Sequence, residues 1–485
     1  MDDRKRRQTE FGDFQTPLVT AQAVCSLIQR SGFRPAAVLE PTCGKGAFLQ
    51  AALEHFPHIC RMVGFDLNPH YVHQARQTFS NLFPDKNVEI SQGDFFRINW
   101  TEVVEELPEP ILILGNPPWV TNADLGVLES RNLPKKANHD RLPGMAAITG
   151  KSNFDISEWM LRKNIDWLSA KRGMLAVLCK VSVARKVLLY AWEKNIPITS
   201  ACVYRLEAEK IFGVTVEACL LVIQTGSAAH GKECSVYPSL DAPRPECVFG
   251  FRDGMLIADL RLYEKWKHLR GTPPRRWRSG VKHDCAKVFE LRPTKPGLVN
   301  GLGEPVEVEP EYIFPLLKSS DLVKQVQPRR WLVIPQKTMG EDTARLQTEA
   351  PRMWQYLLAQ ARFLDRRKSS IYKNRPRFSI FGVGPYSFTP WKVAISGLYK
   401  TLRFVLVGPF QDRPVVFDDT CYFFPCESEE EGRLVYEIVC SEPAQEFWKA
   451  FIFWDAKRPI TADLLNLLDL NVASEVLGKK KQLRI

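Results

Sequence analysis

An asparagine, two prolines and a tryptophan follow directly on an aliphatic run in ILILGNPPWV, at residues 116–119. Proline lacks a backbone N–H and fixes φ, and the residue before each proline is pushed out of the helical region. These residues therefore neither extend a sheet nor start a helix. They form a stiff, extended knuckle that presents Asn116 and Trp119 in fixed geometry. For these four residues alone, a tight strand-ending turn is the plain alternative. Three earlier stretches also end in residues able to do chemistry. VLEPTCGKGAF places Glu40 ahead of a Gly-rich turn with Pro41, Cys43, Gly44 and Gly46; VGFDLNP carries Asp66; SQGDFF sets Asp94 beside Phe95. A Gly-rich turn between strand and helix lets backbone approach a ligand closely. Its spacing fits neither the phosphate-binding loop nor the full dinucleotide fingerprint. A carboxylate at Glu40 would repel a phosphate and suits a cationic ligand. Asp66, about 20 residues beyond the turn, is placed to accept from ribose hydroxyls. Asp94 and Phe95 together can hold an adenine by its exocyclic amine and its face. Each acid taken alone is more often a helix cap; four such ends in consecutive order point to a site.

Those residues require strands behind them. Aliphatic runs at residues 36–40, 61–67, 88–93, 111–115, 174–179, 201–206 and 218–224 alternate with helical patterns such as 48–55, 71–82 and 156–169. Strands separated by helices at this pitch predict βαβ units and a mostly parallel, doubly wound α/β sheet of seven strands. In such sheets ligands bind outside the carboxyl ends of the strands, near the point where strand order reverses. After residue 226 the stretches GSAAHGKECSV and SLDAPRPEC are turn-rich and read as a boundary. The reading is a first domain over residues 1–228 and an α+β domain over 240–485. The second has β-like runs at 331–334, 378–381, 392–395 and 404–407, and helices over 428–440 and 444–453. Ser428 is placed to cap the first of these helices, with Glu429–Glu431 suiting its N-terminus. The closing GKKKQLRI reads as a loose basic tail.

A chain of 485 residues is too long for one core, and 45% hydrophobic with 25% charged residues is the composition of a folded protein. No run of eighteen uncharged apolar residues occurs, and MDDRKRRQTE lacks the apolar core of a signal peptide. Neither export nor a membrane span is expected. The twelve cysteines are scattered without a CxxC pair and suit a reducing cytoplasm. His283, Cys285, Cys421 and Cys426 match no usual zinc spacing, so no metal is expected. The net charge of +11 favours a polyanionic partner. The excess concentrates in two runs. Residues 270–295 hold eight Lys/Arg against two acids, and 362–377 hold seven against one. Trp277, Phe363, Tyr372 and Phe378 are interleaved with them, a pattern of nucleic-acid binding.

The ordered set FGDFQTP, EPTCGKGAF, FDLNP, GDFF and NPPW resembles the γ-class DNA amino methyltransferases of bacterial restriction-modification systems, which are class I S-adenosylmethionine-dependent enzymes. The resemblance covers residues 11–225. It implies a seven-stranded class I methyltransferase domain followed by a target-recognition domain, with double-stranded DNA as partner. The cofactor would be S-adenosyl-L-methionine, held by Thr16, Pro17, Glu40, Pro41, Cys43, Gly44, Gly46, Asp66, Asp94, Phe95 and Asn116. Asn116, Pro117, Pro118 and Trp119 would be catalytic. Trp119 and Phe212 would face the target base, and Asp155 lies near the start of the family's next helix. The implied reaction methylates the N6 amine of an adenine flipped out of the duplex. An exocyclic amine is a poor nucleophile because its lone pair is delocalised into the ring. Accepting its two N–H bonds on the Asn116 side-chain oxygen and the Pro117 carbonyl pulls the nitrogen toward tetrahedral geometry, and preorganised acceptors need no reorganisation. The same acceptors serve cytosine N4, and amine methylation of RNA is a further alternative. The non-enzyme alternative is a DNA-binding modification subunit of a larger restriction or phage-defence complex. Such an enzyme works in the cytoplasm of a bacterium or phage-infected cell, associated with the nucleoid, and a separately encoded restriction endonuclease is a possible companion.

Overall fold

The computed structural model describes residues 15–119, 155–227, 231–295 and 297–479. Residues 11–14 of FGDFQTP and 480–485 of the basic tail lie outside them. The chain divides into two compact units, Met1–Leu260 and Arg261–Ile485.

The first unit is built on the seven anticipated strands: β1 (Ala37–Glu40), β2 (Arg61–Asp66), β3 (Val88–Gln92), β4 (Ile111–Gly115), β5 (Gly173–Lys180), β6 (Ile198–Leu206) and β7 (Ala218–Thr225). Helices α1 (Leu18–Arg30), α2 (Ala47–His55), α3 (Pro69–Leu82), α4 (Trp100–Glu105), α5 (Ile156–Trp167), α6 (Val181–Glu193) and α7 (Ala208–Phe212) accompany them. Their strand order is β3-β2-β1-β4-β5-β7-β6. β3, β2, β1, β4 and β5 run parallel, while β7 is antiparallel to both β5 and β6. Every residue of β1 and β4 is buried, which explains why both read as unbroken aliphatic runs. Helix α1 turns Ala21, Val24, Cys25 and Ile28 into the core, a stripe at helical spacing. Its Gln22 and Gln29 reach Glu54 and the His55 carbonyl of α2. Asn68 caps α3 by accepting from the His70 amide, with Pro69 at the first helical position.

The sheet does not stop at seven strands. β8 (Glu233–Tyr237), β9 (Cys247–Arg252) and β10 (Met255–Ile257) extend it from the β6 edge to ten. The boundary expected between residues 228 and 240 therefore moves to Leu260. β8, β9 and β10 form an antiparallel meander, and SLDAPRPEC connects its first two strands rather than linking domains.

The second unit is α+β, with two sheets. Four strands pair as β11 (Arg278–Ser279), β19 (Cys421–Cys426), β16 (Trp391–Ser396) and β17 (Phe404–Val407). Five pair as β13 (Leu298–Val299), β12 (Glu290–Pro293), β15 (Arg330–Val333), β14 (Ile313–Leu317) and β18 (Val416–Phe417). Helix Glu429–Cys440 begins at Ser428, whose side chain accepts from the Glu431 amide at 3.2 Å. The run at 378–381 is not a strand. Phe378 has φ of +65°, a left-handed conformation outside the β region, and only an isolated Lys282–Phe381 bridge forms.

Lys392 on β16 is 1% exposed, and its ammonium donates to the Thr389 carbonyl. Burial holds this lysine down at about 7, against about 10.4 in an unfolded chain. Between those values the unfolded state keeps a proton the folded state has released, so stability rises as pH rises through this window. Thiols of the unfolded chain, ionising around pH 8.5, oppose the trend, because burial raises Cys285, Cys421, Cys426 and Cys440 in the fold. Lys392→Met should therefore stabilise the protein at pH 7.5 by about 2–4 kcal/mol, and this advantage over the wild type should narrow from pH 7 to 8.5. Chemical denaturation of both chains across that range checks this; an advantage that widened with pH would be the wrong sign.

Candidate active site

Parallel order places the carboxyl ends of β3, β2, β1 and β4 along one rim, so Asp94, Asp66, Glu40 and Asn116 follow one another across four neighbouring strands. Strand order reverses between β1 and β4, where open α/β sheets bind their ligands. The ends of β1 and β4 are close: a Cβ added at Gly115 would stand 3.9 Å from Glu40 Cγ.

Backbone hydrogen bonds shape the turn after β1. The Cys43 amide donates to the Phe65 carbonyl at 2.7 Å, and the Gly44 amide donates to Asp66 Oδ2 at 2.8 Å. Asp66 Oδ1 accepts from the Asn68 amide at 2.8 Å. Asp66 thus braces the Gly-rich turn as well as ending its own strand. Gly44 and Gly46 have φ of +53° and +83°, and a Cβ at Gly46 would lie 2.8 Å from the Phe79 ring. Only glycine fits there. Gln15 Oε1 accepts from the Lys45 amide at 3.3 Å, laying the segment before α1 across this turn. Thr16 and Pro17 follow directly. Pro17, not Thr16, occupies the cap position of α1, and no side chain caps it.

Glu40 is 3% exposed, and its Oε2 is buried with no hydrogen-bond partner among the described residues. Burial and then the Asp66 carboxylate push its carboxyl well above the usual range, against a lowering hydrogen bond from the Leu49 amide. Burial and the Glu40 and Asp66 carboxylates likewise push up the Cys43 thiol, leaving it neutral and unreactive. An unpartnered carboxylate oxygen beside a second acid, next to a turn where backbone can approach closely, fits a cationic ligand such as a sulfonium. A raised carboxylate favours the fold below its ordinary pKa, and that contribution is lost as pH rises through the folded value. Glu40→Gln should accordingly raise the melting temperature of the ligand-free chain at pH 7.5 while weakening S-adenosylmethionine by about 1.5–3 kcal/mol. Thermal unfolding and calorimetry measure the two. Loss of both stability and affinity would mean that Glu40 is merely structural.

Asp94 Oδ1 accepts from the Phe96 amide at 3.0 Å, and Oδ2 pairs with Arg97 at 3.4 Å. Phe95 is not at the rim. It is 6% exposed and packs against Trp100, Trp167 and Trp159 at 5.1, 5.8 and 6.0 Å. The expectation that Phe95 offers its face to a ligand is corrected: its ring is core, and the half-buried Phe96 is its outward neighbour.

At the end of β4, Asn116 and Pro118 are half-buried and Pro117 buried. Trp119 is 8% exposed; its indole N–H donates to the Leu178 carbonyl at 3.4 Å, and its ring meets Phe212 edge-to-face with centroids 5.3 Å apart at 75°. The structure thus brings together the two residues expected to face the base. They do not form opposite walls, because rings this close and this tilted leave no slot for a third between them; they form one aromatic wall. A residue not anticipated from sequence joins here. Lys180, the last residue of β5, donates to the Trp119 carbonyl at 3.3 Å and pairs with Asp155 at 2.7 Å. Asp155 caps α5, accepting from the Ser157 amide and hydroxyl. A lysine closing an otherwise buried aliphatic strand was the available signal.

In the second unit, Asp284–Lys287, Phe363 and Arg366–Ser369 line a cavity of about 760 Å³. It joins the two basic runs, with Lys287 from the first and Arg366, Arg367 and Lys368 from the second. Arg367 is a strut, donating to the carbonyls of Leu364, Ser379 and His283. Lys287, Arg366 and Lys368 are exposed and, among the described residues, have no carboxylate in ion-pair distance. By contrast Arg377 pairs with Asp365 at 2.8 Å, and Arg275 pairs with Glu431. Of the interleaved aromatics, Trp277 and Phe378 are core, at 2% and 1% exposure. Phe363 and Tyr372 instead lie under cations, Lys287 at 3.6 Å and Arg367 at 3.9 Å.

Comparison with known proteins bears on both units. The family described as a methyltransferase domain matches residues 34–106, the span from β1 through α4. The type II methyltransferase M.NspV of Nostoc sp. is 41% identical over 478 residues, covering 98% of this chain and 99% of that one. The type II methyltransferase M.CvrRI of Paramecium bursaria Chlorella virus XZ-6E is 28% identical over 179 residues, 37% of this chain and 38% of its own. Among solved structures, the type IIL restriction-modification enzyme MmeI in complex with DNA shares the fold. Its TM-score is 0.57 at 15% identity, over 100% of this chain and 73% of that one.

Proposed function

The chain belongs to the type II methyltransferases, and we propose that it methylates the N6 amine of an adenine within a specific sequence of duplex DNA. S-adenosylmethionine is the cofactor. When bound, it supplies a methyl group activated on a sulfonium. The observation that carries the reading is the seating of Asn116 and Pro117 on the β4 end, beside the Glu40 carboxylate and the Gly44–Gly46 turn on the neighbouring β1 end.

Glu40 would balance the cofactor's positive charge, Asp66 and Asp94 would accept from its hydroxyls and amine, and Thr16 and Pro17 would cover its methionine end. The Asn116 side-chain oxygen and the Pro117 carbonyl accept the amine's two N–H bonds, and Pro117 and Pro118 keep those acceptors aimed without reorganisation. The base, extruded from the duplex, packs on the wall made by Trp119 and Phe212. The second unit holds the duplex, with Lys287, Arg366 and Lys368 on backbone phosphates. A separately encoded endonuclease and a bacterial cytoplasm complete the reading.

Long-read sequencing of DNA from cells expressing the chain tests it, because modified base and sequence context are read together. N6-methyladenine at one recurring sequence is the expected result. N4-methylcytosine would overturn the choice of base, and unmodified DNA beside methylated RNA would overturn the substrate.

A further inference from the structure

We propose that Lys180 is a positioning residue that holds the Asn116–Trp119 segment in its working conformation. The inference rests on the reading of Asn116 as an acceptor for the amine.

Pairing of β4 with β5 ends at Gly115 opposite Val177, so the segment beyond has no ladder to hold it. Pro117 and Pro118 have no N–H to donate, and the Pro117 carbonyl must stay available to the substrate. The segment therefore has to be tied from outside, through an acceptor the reaction does not use. The Trp119 carbonyl is such an acceptor, and Lys180 Nζ donates to it at 3.3 Å. The indole N–H of the same residue reaches the Leu178 carbonyl at 3.4 Å, so the last three residues of β5 grip Trp119 at two points. The Lys180 side chain is 22% exposed and needs a counter-charge; Asp155, 7% exposed, gives it at 2.7 Å. Asp155 is itself fixed as the cap of α5 by the Ser157 amide at 3.0 Å and hydroxyl at 2.6 Å. A rigid helix end thus aims the ammonium, and the ammonium aims the loop. Arginine could reach both partners; methionine fills the space and reaches neither.

The test uses the full chain, S-adenosylmethionine and a duplex carrying the sequence found methylated, with a fluorescent base analogue at the target. Lys180→Met should slow single-turnover methylation about 10–100-fold, the order of effect of a displacement near 1 Å at the reacting atoms. Its affinities for cofactor and duplex should be unchanged, and Lys180→Arg should recover part of the rate. Asp155→Asn should lose less, and adding it to Lys180→Met should cost nothing further, because both act through one contact. A wild-type rate in Lys180→Met overturns the proposal, as does a loss in which affinity for cofactor falls as far as the rate. Asn116→Ala measured alongside separates the two readings. Full activity there defeats the assignment of Asn116 itself, whereas an impaired Asn116→Ala beside an unimpaired Lys180→Met defeats only the role of Lys180.

Discussion

Asn116→Ala is expected to slow methyl transfer by about 10²–10³-fold, the usual loss when one preorganised transition-state acceptor is removed. The affinities for cofactor and duplex should change little. The side chain is half-buried in an extended loop rather than packed in the core, so its removal leaves the strand ends that hold the cofactor intact. A ground-state contact would behave differently, raising KM while leaving kcat alone. Asn116→Asp keeps an acceptor in place and should recover part of the rate. Trp119→Ala is a less clean probe. At 8% exposure, with its ring on Phe212 and its indole on Leu178, truncation would cost about 3–5 kcal/mol of stability besides any loss of base capture. Trp119→Phe preserves the aromatic wall and isolates the lost indole bond. Single-turnover kinetics with both substrates saturating decides the Asn116 case, and an undiminished rate would return residues 116–119 to being a turn.

The rim of four strand ends was legible because buried parallel strands write themselves as unbroken apolar runs. β4 reads ILILG and is buried throughout, so the polar residue that breaks the run marks the carboxyl end where ligands bind. What lay beyond was hidden for different physical reasons. β8 and β9 have mixed burial, and in β8 exposed or half-exposed residues alternate with buried ones; the turns around them look like a linker until β6 offers an edge to pair with. Phe95 carries the right side chain for a ligand face, but sequence does not say which side of the rim a ring packs on. Here the aromatic cluster around Trp100 claimed it, whereas Trp119 meets Phe212 in one wall. Trp277 and Phe378 misled in the same direction: aromatics among arginines suggest stacking on bases, yet both are core. Lys180 lies at the end of a strand that was anticipated, but its meaning depends on Asp155 and Trp119, distant in sequence and adjacent only in the fold.

The basic runs illustrate the same selection by tertiary structure, and they give the largest expected effect on binding. Charge counting over residues 270–295 and 362–377 treats every cation alike. The fold does not. Arg377 and Arg275 are neutralised by Asp365 and Glu431, and Arg367 spends its guanidinium on three carbonyls while burial lowers its pKa. Lys287, Arg366 and Lys368 remain exposed at one cavity without a carboxylate partner among the described residues. If each neutralises one phosphate, replacing all three with glutamine removes about 2.7 from the slope of log affinity against log salt. The loss is then about 3 × 10³-fold at 50 mM salt and shrinks to about 80-fold at 200 mM, because released counterions drive the contact. The sequence methylated should not change, since phosphate contacts position a protein and base contacts specify its site. Arg367→Gln is the contrast: it should lower the melting temperature of the chain and leave the slope as it is. Fluorescence titration of a labelled duplex at four salt concentrations measures the slope directly. A triple variant with the wild-type slope would show that the duplex backbone runs elsewhere on the second unit, and that this cavity is not where the two basic runs do their common work.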